Sequence, residues 1–467
     1  MKTLLAVTVA IAMMVDAPPE GHRTLEQHYS TTPTQQIEMR GFSGSRVRFR
    51  SWDKNEVSVR LEISFSSSDD RGEQKSLDAF ALKETRTDDR LRIDLQEPDM
   101  SRIGRRTFWG WLNSIFSGSF VSKEIEGEIY VPRSNPLSAE VKYGSVEMDG
   151  MKGELDLSGT STTVSLTNCS SIGEVKNDYG RVTIENGGGT LRLSSKSTTI
   201  VVDRFDGKAV IDADYSNITV RDVTKSLSIL SKSGTIKVDH VGGDVSIHSP
   251  FSNISAYNIA GMLDIEGRSG RVTAKTVDGV KISAAYSPIE VSDVSGKASQ
   301  EISILGQSGN ISLRDAVGNV RMESAYGKID LENIRGNVDI KGTHVEAYKI
   351  IGDWRSETQY GQIIVRDLSA KRIIATCRSG KIDMTLKTAP SELDIKNEYA
   401  DVNVDMPSGF SGDVDLNVTY GNIHTNLPLS KEKSFQGGGA YAMGKIGSAG
   451  GKFSIETRSA NINVKQR

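Results

Sequence analysis

The chain has 467 residues, with 57 Lys and Arg against 60 Asp and Glu, so its formal net charge is −3. Charges of both signs are interspersed, which excludes the strong basic bias of a typical nucleic-acid binder. Glycine is abundant, at 45 residues, and proline is scarce, at 11, as expected of a chain with many tight corners.

Residues 1–17 have the features of a secretory signal. Lys2 supplies a positive start, and residues 4–15 form an apolar run that is too short to span a bilayer. No later stretch reaches the ~20 apolar residues of a membrane helix. We therefore expect an exported protein, periplasmic or at the cell surface, without a transmembrane span.

Residues 18–130 lack the repeat found further along the chain and predict a small β-rich capping domain. Alternate residues from Val57 to Phe65 are apolar, which is typical of a strand. We predict strands over Gln35–Arg40, Arg46–Arg50, Glu56–Phe65 and Leu91–Leu95, and a short helix over Gln74–Lys83. Such a domain would cover the unpaired strand edges at the end of a solenoid.

An aromatic insert at residues 102–121 interrupts the capping domain. It places Trp109 and Trp111 shortly after Arg105 and Arg106. One interpretation is a loop whose aromatic side chains cover the end of the solenoid. The other is a peripheral contact with a membrane or a partner, because Trp and Arg suit a surface with one wet and one apolar side. In that case Trp109 and Trp111 are candidate binding residues.

Residues 131–467 predict a parallel β-solenoid of about 18 residues per coil, and hence an all-β protein. A unit that begins with an aromatic residue or Ser returns every 18 residues from Tyr143 to Ser269. A second apolar alternation, seen at Leu155–Leu157 and Leu191–Leu193, runs half a period out of phase. Each period therefore holds two short strands, and stacked coils bury their apolar sides on one another.

The repeat loosens after Gly270 but continues to Ser459. His344 stands where the register expects Tyr or Ser. Residues 428–451 are rich in glycine and predict a flexible loop, followed by closing strands over Lys452–Glu456 and Asn461–Lys465. Four corners share an Asx residue followed three places later by glycine, a combination that favours tight turns, and they begin at Asn258, Asp293, Asp315 and Asn333.

One position of the repeat carries an aromatic residue in every second coil, about 10 Å apart. It is occupied by Tyr143, Tyr179, Tyr215, Phe251, Tyr286 and Tyr326. An exposed column of this kind could bind sugar rings or extended chains by stacking. The alternation with Ser instead favours burial, with large and small residues packed together at one corner of the core.

The sequence shows no convincing motif for catalysis or metal binding. Asp212 and Asp214 could reach the separation that glycoside hydrolysis requires, although a solvated strand face is the simpler interpretation. The stretch Asp239–Asp244 is the nearest match to a calcium-binding β-roll corner, and it stands alone. We expect Cys169 and Cys377 to be small buried hydrophobic residues, too far apart in a solenoid for a disulfide. The sequence therefore predicts no catalytic residue, no metal and no cofactor.

Several features together resemble the bacterial putative-adhesin family of unknown function, over roughly residues 30–467. They are the signal-like start, the Val131-Pro132 entry, the serial Tyr/Ser-Gly-x-Val/Ile units and the ending from Gly450 to Ile455. The resemblance implies an exported β-solenoid with a surface or adhesive role and supplies no catalytic residues. We therefore expect a non-enzymatic scaffold that binds a glycan or protein partner; the alternative is a polysaccharide lyase or glycoside hydrolase.

Overall fold

The computed structural model describes residues 21–66, 74–75, 77–97, 122–436, 438–448 and 450–467. The chain divides into two compact units between Thr163 and Val164. Strands hold most of the described residues, which confirms the predicted all-β fold. The signal segment 1–17 and the aromatic insert 102–121, with Trp109 and Trp111, lie outside the described residues.

The first unit contains nine strands and most of a tenth, which runs across the division. They are β1 (Gly21–Ser30), β2 (Gln36–Ser43), β3 (Ser45–Trp52), β4 (Glu56–Ser66), β5 (Ala81–Arg86), β6 (Arg90–Gln96), β7 (Ser122–Pro132), β8 (Leu137–Lys142), β9 (Ser145–Asp149) and β10 (Leu155–Thr167). The four strands predicted in this region are confirmed. The predicted helix is shorter than expected: residues 74–75 and 77–78 are helical, and β5 begins at Ala81.

Parallel coils already occur in this first unit. The strand pair β2 and β3 lies between two others that follow it in sequence, with β6 and β7 on one side and β8 and β9 on the other. Antiparallel strands then cover the outer edge, because β4 pairs with β7 and β5 pairs with β6. Alternate residues of β4, from Val57 to Ile63, are fully buried. The antiparallel cover protects an edge that would otherwise offer unpaired backbone groups.

The second unit continues with 26 further strands in chain order. They are β11 (Ile172–Asp214), β12 (Ser216–Val223), β13 (Leu227–Leu230), β14 (Ser233–Val241), β15 (Val245–Ser249), β16 (Phe251–Ser269), β17 (Val272–Tyr286), β18 (Ile289–Val294), β19 (Glu301–Gly306), β20 (Ile311–Val317), β21 (Asn319–Ser324), β22 (Lys328–Arg335), β23 (Val338–Gly342), β24 (His344–Ile351), β25 (Trp354–Thr358), β26 (Ile363–Ser369), β27 (Arg372–Cys377), β28 (Ile382–Leu386), β29 (Glu392–Asn397), β30 (Val402–Met406), β31 (Gly412–Tyr420), β32 (Ile423–Thr425), β33 (Lys431–Ser434), β34 (Ala440–Ile446), β35 (Gly451–Ser459) and β36 (Ile462–Gln466).

Stacked aliphatic columns hold the coils of this unit together. Ile200 pairs with Ile218, Ile218 with Ile236, and Ile236 with Ile254, each one coil further along. Burying one such side chain stabilises the fold by roughly 1.5–3 kcal/mol. The residues predicted to point inward are all buried, namely Val182, Ile184, Ile218, Val220, Ile236 and Val238. The predicted register of the solenoid is therefore confirmed.

The predicted Asx corners are also confirmed. The backbone is left-handed at all four positions, with φ between 52° and 57° at Asn258, Asp293, Asp315 and Asn333. Asn and Asp tolerate this conformation because their short side chains hydrogen-bond locally. Neighbouring corners are also linked, since Asn333 Nδ2 donates to Asp315 Oδ1 over 2.6 Å.

The C-terminal end of the second unit differs from the sequence-based expectation. The segment 428–451 was expected to be a flexible loop, yet it contains β33 and β34, which pair antiparallel, and β34 also pairs antiparallel with β31. The strands β35 and β36 do not close the stack as its last coil. Instead β35 lies between β29 and β31, and β36 lies between β30 and β32. The last residues of the chain thus form a coil inside the stack.

Candidate functional site

The most distinctive surface of the second unit is a column of exposed aromatic side chains at one corner of the solenoid. We call it the aromatic column, and it consists of Tyr179, Tyr215, Phe251, Tyr286, Tyr326, Tyr360, Tyr399 and Tyr420. Their side chains are between 46% and 76% exposed. The expectation that such rings fill a corner of the core is therefore wrong. The buried places at this corner belong to small residues such as Ala213 and Ser249.

A small residue separates each aromatic residue of the column from the next. Parallel pairing aligns Ser233 with Phe251 and Ser269 with Tyr286. Since adjacent strands lie about 4.8 Å apart, neighbouring aromatic positions are about 10 Å apart. The alternation seen in the sequence is therefore an alternation in space, with isolated rings between small residues.

One corner of the column is shorter than its neighbours. Lys341 aligns with Glu323 on one strand, and His344 aligns with Lys328 on the next. Two residues lie between Lys341 and His344, two fewer than between Glu323 and Lys328 in the preceding coil. His344 therefore follows the aromatic position and does not occupy it, which corrects the sequence-based placement. Only the small residues Gly342 and Thr343 remain at this corner, and the alternation continues unbroken.

The C-terminal coil completes the alternation. In sequence, Tyr399 and Tyr420 follow one another without an intervening Ser. In the structure Ser459 pairs with Tyr420, and its coil also pairs with the coil of Tyr399. Ser459 thus lies between two aromatic residues that both precede it in the chain. Sequence analysis missed Tyr360, Tyr399 and Tyr420 as site candidates, although all three begin units of the same repeat.

The backbone is left-handed at the start of the column. The angle φ is 61° at Tyr179, 50° at Ser197 and 56° at Tyr215, whereas the other six aromatic residues of the column do not share this conformation. The position after the aromatic or Ser residue faces the neighbouring coil closely: a Cβ on Gly234 would lie 2.0 Å from the backbone oxygen of Ser216. The side chain at the aromatic position itself is exposed to solvent.

Neutral polar side chains run alongside part of the column. Thr199, Asn217, Thr235 and Asn253 align in successive coils, two residues after the aromatic or Ser position. Asn253 Oδ1 accepts a hydrogen bond from the backbone N–H of Arg271 over 2.9 Å. That bond orients the amide, whose Nδ2 group can then donate a hydrogen bond to a ligand.

The other binding residues proposed from the sequence are not among the eight residues of the aromatic column. Tyr143 is exposed and has a left-handed backbone with φ of 54°, but it belongs to the first unit. Trp109 and Trp111 lie outside the described residues. Their role in binding stays a prediction.

The acidic residues considered for catalysis are engaged elsewhere or stand apart. Asp214 forms an ion pair with Lys232, and that hydrogen bond raises the pKa of the Lys232 ammonium group. Asp212 is exposed. Across the described residues, no group of three or more His, Cys, Asp or Glu side chains could hold a metal ion. Cys169 and Cys377 are both buried, and no disulfide joins them.

These features define a parallel β-solenoid scaffold that presents a regular aromatic surface. Residues 255–465, a little under half of the chain, match the family model described as Toastrack DUF4097. This match confirms the resemblance to the putative-adhesin family that the repeat units suggested. Within the part of the chain that the structure describes, no helix is long and apolar enough to cross a membrane.

Comparison with solved structures and curated proteins adds no further evidence on what this chain does. A solved structure of a putative cell adhesion protein from Clostridium sporogenes aligns with 95% of this chain and 100% of its own, at 10% identity. Its TM-score is 0.15, so nothing about this chain rests on the likeness. No curated protein matches the chain.

Proposed function

We propose that this protein is an exported, non-enzymatic scaffold that binds an extended polymer, a glycan or a protein segment, along the aromatic column. The observation that carries the proposal is the uniform spacing of eight exposed rings across the second unit. Large exposed apolar side chains that recur along one line, unlike those scattered singly over a surface, are typical of binding sites. Tyrosine suits such a site because one ring offers an apolar face and a polar hydroxyl.

Export is supported by the signal-like residues 1–17. Catalysis on a polysaccharide would require a pair of unengaged carboxyl groups on either side of a bound sugar. The ion pair between Asp214 and Lys232 removes one member of the pair considered from the sequence. Glu126, Glu128 and Glu147, which line a cavity in the first unit, each form an ion pair with an arginine, so we propose the scaffold alone.

A binding screen tests the proposal. The full chain is applied to immobilised glycans and matrix proteins while the release of products is monitored. The double variant Tyr326→Ala with Tyr360→Ala removes two neighbouring rings that are 76% and 67% exposed. We expect it to weaken binding and to leave thermal stability unchanged.

The matched control is Tyr348→Ala. Tyr348 is also exposed, at 51%, but it pairs with Glu332 and Arg366 and lies away from the column. Binding that is lost equally in the control and the double variant would contradict the proposal. Turnover of any bound glycan would contradict its non-enzymatic part.

A further inference from the structure

The spacing and isolation of the rings narrow the class of polymer. Rings two strands apart recur about every 10 Å, and seven such intervals extend on the order of 70 Å. Resting on the proposed function, we infer that the aromatic column binds a linear polysaccharide of β-linked pyranose rings, with two sugar rings per aromatic side chain.

The rings of the column act as separate platforms. A small residue stands between consecutive aromatic positions, as Ser233 and Ser269 do on either side of Phe251. Separate platforms match the flat C–H face of a pyranose ring, which stacks on a single aromatic ring. A proline-rich peptide instead docks in a groove with aromatic walls. The isolation of the rings therefore favours a sugar.

The two-coil interval matches the symmetry of the ligand. In a β-1,4-linked chain each ring is turned over relative to the one before it, so every second ring presents the same face. A straight chain of this kind would place one ring on an aromatic platform and the next over the intervening small residue. The short corner between Tyr326 and Tyr360 keeps to this order, because only Gly342 and Thr343 lie there.

The polar neighbours have the chemistry that sugar hydroxyl groups require. Asn217 and Asn253 are exposed beside Tyr215 and Phe251. Amide groups donate and accept hydrogen bonds without charge, as sugar hydroxyl groups do. Asn310 repeats the arrangement of Asn253, since its Oδ1 accepts the backbone N–H of Lys328 over 3.2 Å. The amides of Asn253 and Asn310 are thus held in one orientation before a ligand arrives.

A length series of oligosaccharides tests the inference on the full chain. The probes are β-1,4-linked glucose oligomers of two to twelve rings, with α-1,4-linked oligomers of equal length as the chemical control. We expect affinity for the β-linked series to rise with each added pair of rings and to be absent for the α-linked series. Tyr326→Ala and Tyr360→Ala should each weaken binding of long oligomers roughly 2- to 10-fold, the loss of one ring contact.

The controls separate this inference from the proposed function. Tyr348→Ala should bind as the parent does, and circular dichroism should show that each variant keeps its strands. A polyproline peptide, whose helix repeats about every 9.3 Å, is the competing occupant. If that peptide bound through Tyr326 and Tyr360 and the β-linked oligomers did not bind, the inference of a glycan ligand would be wrong. The proposal that the aromatic column binds a polymer would still hold. If neither the oligosaccharides nor the peptide depended on these rings for binding, the glycan inference and the proposed function would both be wrong.

Discussion

Replacing Phe453 with alanine tests how the out-of-order coil holds the C-terminal end of the second unit. Phe453 is fully buried in β35, where it aligns with Leu393 on one side and Val414 on the other. Its ring meets that of Phe410 edge-on, with the centroids 5.6 Å apart. Truncating a buried Phe to Ala typically costs about 3–5 kcal/mol.

Hydrogen exchange on the intact chain is the suitable assay, because each coil of a solenoid contacts only its neighbours and the loss should be local. A cost of 3 kcal/mol or more corresponds to exchange that is faster by roughly two orders of magnitude. We expect this change in residues 392–425 and 451–466, with little change in residues 200–260.

The matched control is Phe251→Ala, which removes the same ring from a position that is 54% exposed. A surface truncation of this kind should change stability by no more than about 0.5 kcal/mol. Equal protection in the two variants would refute the proposed packing of the inserted coil. Loss of protection spread evenly over the second unit would refute the local character of the effect.

Three further substitutions test the core, a corner and an ion pair. Ile236→Asp should lower the urea unfolding midpoint by the equivalent of about 3–5 kcal/mol, since it buries an unpaired charge, whereas exposed Lys237→Asp should not. Gly361→Ala should also destabilise, because its Cβ would lie 1.5 Å from a carbonyl oxygen of the neighbouring coil; a midpoint equal to the parent's would contradict this contact. The hydrogen bond from Arg366 lowers the pKa of Asp383 below 3.8, so its stabilisation is complete above that pH and lost as the pH falls further. The urea midpoint of Asp383→Asn should therefore be slightly lower at pH 7 and converge with that of the parent near pH 2; a constant gap would refute the assignment.

The fold could be predicted from sequence because its signal is local and repeated. The alternation of apolar residues around Ile218 and Ile236 fixes which face of each strand points inward. The fixed period then fixes which residue stacks on which, because coils of equal length repeat the same pairing, as Ile200, Ile218 and Ile236 do. The Asx corners could be predicted for a similar reason, since Asn258 and Asn333 carry their turn preference in their own side chains.

The exposure of the aromatic residues could not be predicted from the same pattern. Strand alternation assigns an inward or outward direction only to residues within a strand. Tyr179 stands at a corner of the coil, where this alternation breaks, because its neighbours Asp178 and Gly180 are exposed as well. Alternation of large and small residues fits a packed corner and a surface of spaced platforms equally well.

The order of the C-terminal coils could not be predicted either. The strands β33 and β34 lie in a glycine-rich segment, and the residues of β33 are all exposed, so no apolar alternation marks it. The pairing of β35 with β29 joins residues that are far apart in sequence, and periodicity carries no information about such a connection. The one sign of this coil order in the sequence is the interrupted alternation of aromatic residue and Ser at Tyr399, Tyr420 and Ser459.

The inserted coil makes this part of the second unit depend on residues 451–466. Until those residues pair, β29 and β31 have no strand between them, and both present unpaired backbone edges. Residues 451–466 fill that gap on both sides at once. A molecule cut short before Gly451 would therefore carry an open slot of the same width as one coil, ready to pair with a strand from another chain. Completion of the fold and suppression of self-association thus depend on the same short segment, so a truncated copy should be both looser at this end and prone to aggregate.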